Sequence, residues 1–324
     1  MTLKQKGFAL SGGLQALFIG ALVFQWAPVL GWAWGNRGHQ IINRAAVQSL
    51  PQPLRAWFEA RLEYLATHAS DPDVLAHNDP EERPRHYTDA DAYDRFPFAR
   101  LRAQFCVEHR PPTGLEMRNG TAIWQIGIYT RRLEDDFRAR KWGRANHDAV
   151  FLAHYAGDIT QPLHTVANFD GQLTGQSGVH SRFETEMVNA LADRWKLDVA
   201  PAAEIPNLNE RIFDEYIRSY AKASVVLAAD RNAVSGLSYF DPRYFSRFCK
   251  LAGPVAEKRL EDAATFVGSL WYTAWVKAGS PNLSGWTIPL QTSGFGPYSS
   301  ARPFWGARNS ALRFAKDVSK GSPD

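Results

Sequence analysis

Apolar positions along the chain recur with the 3.6-residue period of helices, and strand-like alternation is almost absent. The period predicts helices over 37–50, 53–68, 114–141, 144–159, 178–195, 209–232 and 253–278. Thr113 and Glu116 form a capping box ahead of the third, and Ser177 precedes the helix that carries His180. Two segments resist a helical reading. Residues 70–98 are rich in Asp, Pro and Tyr, and 161–177 form a Pro/Gly/Asn loop, so both are expected to run over the surface or line a site. Residues 279–303 are dense in Gly, Ser, Pro and aromatics and read as irregular. No internal repeat is evident. The expected architecture is all-α: one multi-helix domain over 34–278, followed by an irregular C-terminal extension over 279–324.

The beginning of the chain follows a different pattern. Lys4 and Lys6 precede a run without any charged residue from Gly7 to Asn36, with Gly31-Trp32-Ala33 as a small-residue cleavage signal. A basic head, an apolar middle and such a signal predict a secretory signal peptide over 1–33 and a secreted or periplasmic mature protein. The uncharged run is also long enough for a membrane anchor, but Pro28 and Gly31 near its end favour cleavage. With 45% hydrophobic and 22% charged residues in 324, the chain has ample apolar surface for a core, which excludes a disordered chain, a collagen and a small disulfide scaffold. Removing 1–33 takes away two lysines and no acid, so the formal charge falls from +4 to +2 and gives no argument for a polyanionic partner. Cys106 and Cys249 form no metal-binding pattern, and their spacing leaves a disulfide open.

Chemistry concentrates in the centre of the chain. His154 and Asp158 are four apart, and so are His180 and Glu184, so each pair projects from one face of its helix. Imidazole and carboxylate at this spacing can clamp a divalent ion, and the donor set suits zinc. A lone pair of this kind is more often a surface ion pair. Two of them with His164 between, placed just after Pro162, make a sharper signal. Arg85 to Asp89 and Trp34 to His39 add two polar clusters, with His86 and His39. The remaining histidines, His68, His77, His109 and His147, lack such company and read as ordinary surface residues.

These positions together resemble the superfamily of zinc-dependent bacterial phospholipases C and single-strand-specific zinc nucleases. The resemblance covers 34–195 with motifs and the later helices in character only. It implies an all-helical fold and three zinc ions in one cleft. Carried over by position, Asp71, His86, His154 and Asp158 hold one ion, with Asp73 as the runner-up for Asp71. Asp158 bridges to a second ion, either the one held by His164, His180 and Glu184 or the one held by the N-terminal group, and the pattern favours the former. The third takes His39 together with the amine and carbonyl oxygen of Trp34, which requires cleavage after Ala33. The implied reaction is phosphodiester hydrolysis by a zinc-activated hydroxide, with Asp71 also able to orient the attacking water.

Substrate signals are mixed. Trp34-Gly-x-x-Gly-His39 resembles the nucleases, whereas Glu184 as the last ligand resembles the phospholipases. Arg37 stands where some phospholipases hold choline with a glutamate, and favours phosphate instead. Val74 stands where the nucleases carry a base. Tyr87, Tyr93, Phe96, Phe98 and Tyr155 are candidate stacking platforms, with Tyr155 and Arg37 taken as substrate-binding. Trp286, Phe295, Tyr298, Phe304 and Trp305 could instead form an apolar rim for lipid. Cleavage of single-stranded nucleic acid or of general phosphodiesters is the first expectation, phospholipase C the alternative, and a non-catalytic zinc-binding domain the third. No stable protein partner is read from the sequence, and a monomer is expected.

Overall fold

A computed structural model describes residues 34–283, which belong to one compact unit. The leader and the extension beyond Leu283, with the five aromatics assigned to a lipid rim, lie outside the described residues. The α-helices in chain order are α1 (Gly35–Ser49), α2 (Leu54–Glu59), α3 (Leu62–Thr67), α4 (Asp71–Asn78), α5 (Ala90–Tyr93), α6 (Ala99–Arg102), α7 (Ala122–Arg138), α8 (Trp142–Thr160), α9 (Val179–Ser181), α10 (Met187–Leu191), α11 (Leu208–Val234) and α12 (Pro242–Lys277). Among the described residues there is no strand, only an isolated bridge between Thr88 and Gly120. The protein is all-α, as the period predicts. No described helix is long and apolar enough to cross a membrane.

Helix α8 is the axis of the molecule. Nearly all of its side chains are buried, because α1, α7, α11 and α12 pack around it. Trp271 of α12 donates from Nε1 to the Ala149 carbonyl at 3.1 Å and stacks on Phe58 at 4.4 Å between centroids. The C-terminal carbonyls of α8 need partners inside the protein. Arg259, itself 3% exposed, supplies one by donating to the Thr160 oxygen at 3.0 Å, and its charge is matched by the buried carboxylate of Glu215. That tie fixes the chain where it leaves α8 for His164.

Several expected elements are broken. The helix over 53–68 is two helices, and that over 114–141 is a short 3₁₀ turn, Gly114–Asn119, followed by α7. The break falls at Gly120, whose φ of 84° suits glycine and whose missing Cβ would overlap the Tyr87 carbonyl. Helix α12 begins eleven residues before the expected start, because Gly253 and Pro254 look like an N-terminus but lie inside it. The segment 70–98, expected to be irregular, contains α4, with Pro72 in its first turn where a missing N–H costs nothing. Cys106 and Cys249 are free thiols, and no disulfide joins them.

Candidate metal centre

His154 and Asp158 sit one turn apart on α8, fully buried, so neither can stand as a surface ion pair. Helix α4 brings Asp73 to them, the chain after the 3₁₀ turn Arg83–Arg85 brings His86, and α1 brings His39. His86 Nδ1 lies 3.1 Å from Asp158 Oδ2, 3.1 Å from His154 Nε2 and 3.5 Å from Asp73 Oδ1. His154 Nε2 lies 3.3 Å from Asp73 Oδ1 and 3.5 Å from Asp158 Oδ2. Ligands held at 2.0–2.1 Å around a tetrahedral zinc stand about 3.3 Å apart, so Asp73 Oδ1, His86 Nδ1 and His154 Nε2 have the spacing of one zinc site, and Asp158 Oδ2 stands in the same range from the two histidines. The other oxygen of Asp158, Oδ1, faces His39 Nε2 at 3.4 Å.

A second group lies on the loop and helix that follow. His164 Nε2, His180 Nε2 and Glu184 Oε2 are mutually 3.1, 3.5 and 2.9 Å apart. The expected helix over 178–195 is not continuous. Its middle, Arg182–Glu186, is a π-turn, and Glu184 lies inside it. Asp170 rather than Ser177 caps its start, accepting from the Gly178 and His180 N–H groups at 2.8 and 3.2 Å. Gln161 donates from Nε2 to Glu184 Oε2 at 2.9 Å.

Buried polar atoms are normally satisfied. Here both Asp158 oxygens, His39 Nε2, Asp73 Oδ2, His86 Nε2 and Glu184 Oε1 are buried without a hydrogen-bond partner. The ring orientations follow the same logic. His154 Nδ1 donates to the Ala69 carbonyl at 2.8 Å, His164 Nδ1 to that of His86 at 2.6 Å, and His180 Nδ1 to that of Phe169 at 3.0 Å. A carbonyl only accepts, so each of these Nδ1 atoms carries the proton and each Nε2 turns a lone pair toward its group. Orphaned oxygens and converging lone pairs are the donor set of bound cations, and the residues fit zinc.

Charges respond accordingly. Burial works against ionised Asp158, but His154, His39 and His86 outweigh it and hold its pKa below the carboxylate range. Burial opposes the Glu184 charge as well, and His180 and His164 overcome it. For His86 burial lowers the pKa, yet Asp158, Glu82 and Asp73 raise it to about 10. His39 goes down, from burial first and from His154 second.

Three expected site residues stand elsewhere. Asp71 turns away, its Oδ2 bonded to His68 Nδ1 at 2.6 Å, so Asp73 and not Asp71 joins His86 and His154. Both acids belong to the first turn of α4, where two positions differ by about 200° in direction. Tyr155 is fully buried and donates its hydroxyl to Glu82, which removes it as a stacking platform. Arg37 pairs at the surface with Asp193 and donates to the Asn189 carbonyl at 2.9 Å. Asp158 divides between the His86/His154 group and His39, the N-terminal alternative, rather than toward the favoured His164 and His180. Trp34 is fully buried at the start of α1, its indole N–H bonded to the Gly157 carbonyl at 2.9 Å. Glu82, which the sequence does not single out, stands four residues before His86.

Among the described residues of this all-helical domain, three groups of buried histidines and carboxylates converge, a donor arrangement that can hold divalent ions of the kind used in phosphate-ester hydrolysis. The S1/P1 nuclease family model matches residues 34–232, more than half of the chain, and the protein belongs to that family. Members are zinc enzymes that hydrolyse phosphodiester bonds. No curated protein shows significant similarity to the chain.

Proposed function

We propose that the protein is an exported nuclease that cleaves single-stranded nucleic acid with three zinc ions. The observation that carries this reading is the spacing of Asp73, His86, His154 and Asp158, with their orphaned buried atoms. Those four residues would hold one ion, and His164, His180 and Glu184 a second. Asp158 Oδ1 and His39 would hold a third together with the amine and carbonyl of Trp34, once cleavage after Ala33 has freed that amine. The Trp34 carbonyl already accepts from the Gly38 N–H at 3.1 Å and keeps a second lone pair. Bound zinc supplies a water acidified toward neutral pH and Lewis-acid stabilisation of phosphate charge. The chain's own part is to hold the donor atoms rigidly. Backbone carbonyls orient three of the imidazoles, and Asp158 spans two groups with its two oxygens. His164, His180 and Glu184 supply only three donors, which leaves room for water or substrate.

The test is a substrate panel on protein whose first residue is Trp34: single-stranded DNA, RNA, a chromogenic phosphodiester and phospholipid vesicles. Cleavage of single-stranded DNA or RNA, abolished by chelator and restored by zinc, is expected. Cleavage of phospholipid alone would transfer the chain to the phospholipase C reading, which Glu184 as the last acidic donor favours. Bound zinc with no hydrolysis of any of the four would leave the non-catalytic reading.

A further inference from the structure

His86 is oriented differently from its neighbours. His154, His164 and His180 each have Nδ1 tied to a backbone carbonyl, whereas His86 turns Nδ1 inward and has no hydrogen-bond partner at Nε2. The acceptor that faces this Nε2 is Glu82, whose Oε1 lies 3.7 Å away. Glu82 is fully buried and held from two other sides. Tyr155 donates its hydroxyl to Oε1, and Arg85 Nη1 donates to Oε2 at 2.7 Å. The Tyr155 ring packs edge-on to the His86 ring at 5.6 Å between centroids, which limits how the imidazole can swing. A buried carboxylate anchored by a tyrosine and an arginine, aimed at the outer nitrogen of an inward-facing imidazole, is the arrangement by which proteins fix a ligand's tautomer.

We propose that Glu82 is the positioning residue for His86. With Arg85 and Tyr155 holding its carboxylate 3.7 Å from Nε2, it is the acceptor that would take the Nε2 proton of His86 once the ring settles on an ion, leaving the Nδ1 lone pair facing Asp73, His154 and Asp158. Tyr155 thus serves the centre from behind rather than from the substrate side. The proposal rests on the zinc reading above.

Zinc affinities of wild type, Glu82→Gln and Tyr155→Phe are measured in the full mature protein by competition with a chromophoric chelator. Histidine tautomers are read by ¹⁵N NMR of the zinc-loaded forms. Glu82→Gln is expected to weaken one ion by about 10–100-fold, leaving the others within about threefold, and to leave His86 without a single Nε2-protonated tautomer. Tyr155→Phe is expected to shift both readouts in the same direction by less. Unchanged affinities with His86 still Nε2-protonated would overturn the proposal. So would a uniform loss at all ions with that tautomer intact, which marks a purely structural role. If Glu82→Gln does not fold, Tyr155→Phe decides by the same two readouts. Wild type that binds no zinc would instead sink the reading on which the proposal rests.

Discussion

Asp71 and Asp73 occupy the same turn of α4 and have the same chemistry, yet one bonds to His68 and the other faces His86 and His154. Asp73→Asn is therefore expected to lose bound metal and about 100-fold or more of phosphodiesterase activity, since removing even an outer partner costs 10–100-fold. Asp71→Asn should keep both within a few-fold. Metal analysis and a chromogenic phosphodiester read the difference, and the opposite pattern would return the ligand role to Asp71. A second residue-level effect belongs to Asp89. Burial, and then the nearby Asp91 charge, raise its pKa from 3.8 to about 7, and its Oδ1 is buried without a hydrogen-bond partner. Between those values the folded protein keeps a proton that the unfolded chain has released, so the Asp89 contribution to stability falls as pH rises from about 4 to 7 and stays low above. Asp89→Asn is expected to remove that fall, and melting of both proteins at pH 4, 5.5 and 8 would reveal it. A difference between them that does not change with pH would refute this account.

At the scale of elements, the centre depends on how closely α8 approaches α1. A Cβ built on Gly157 would stand 3.1 Å from His39 Nδ1 and 3.2 Å from Ile42 Cδ1, so Gly157→Ala forces α1 outward or rotates His39. A cost of about 1–3 kcal/mol is expected from such overpacking, measured as a lower denaturation midpoint, together with weaker zinc binding at the His39 site. The long buried helices were legible from their period: 144–159 and 209–232 match α8 and α11 to within two residues at each end. Breaks were not, because they answer to neighbours. Gly120 yields its turn to the Tyr87 carbonyl, and the π-turn around Glu184 lies where His164, His180 and Gln161 converge on its carboxylate. Pro254 shows the converse, a residue that signals a helix start in sequence while long-range packing carries α12 straight through it.

At the scale of the whole molecule, the centre ties α1, α4 and α8 to the chain bearing His86, and the loop at His164 to the turn at Glu184. Metal binding should therefore stabilise the entire fold. A ligand present at a hundredfold its Kd contributes about 2.7 kcal/mol per site, so chelation is expected to lower the melting temperature by several degrees, and zinc to restore it. An unchanged melting temperature after verified metal removal would mean that these groups do not hold ions tightly. Protein beginning at Trp34 is further expected to bind one more zinc than protein with the leader retained, because an acylated nitrogen is not a ligand. Equal stoichiometry in the two forms would remove the N-terminal amine from the site.

The sequence by itself determined the helical class, the family-bearing histidines and the pairing of His154 with Asp158 and His180 with Glu184, because a four-residue interval places two side chains on neighbouring turns of one segment, even where, as at Glu184, the turn is a π-turn. Only the tertiary structure decided which acid of α4 turns inward, that Asp158 divides between His86 and His39, that Arg37 meets Asp193, and that Tyr155 and Glu82 stand behind His86. Each of those outcomes depends on contacts between segments distant in sequence, where burial removes water as an alternative partner and leaves every polar atom to be satisfied by whichever group the fold brings within reach.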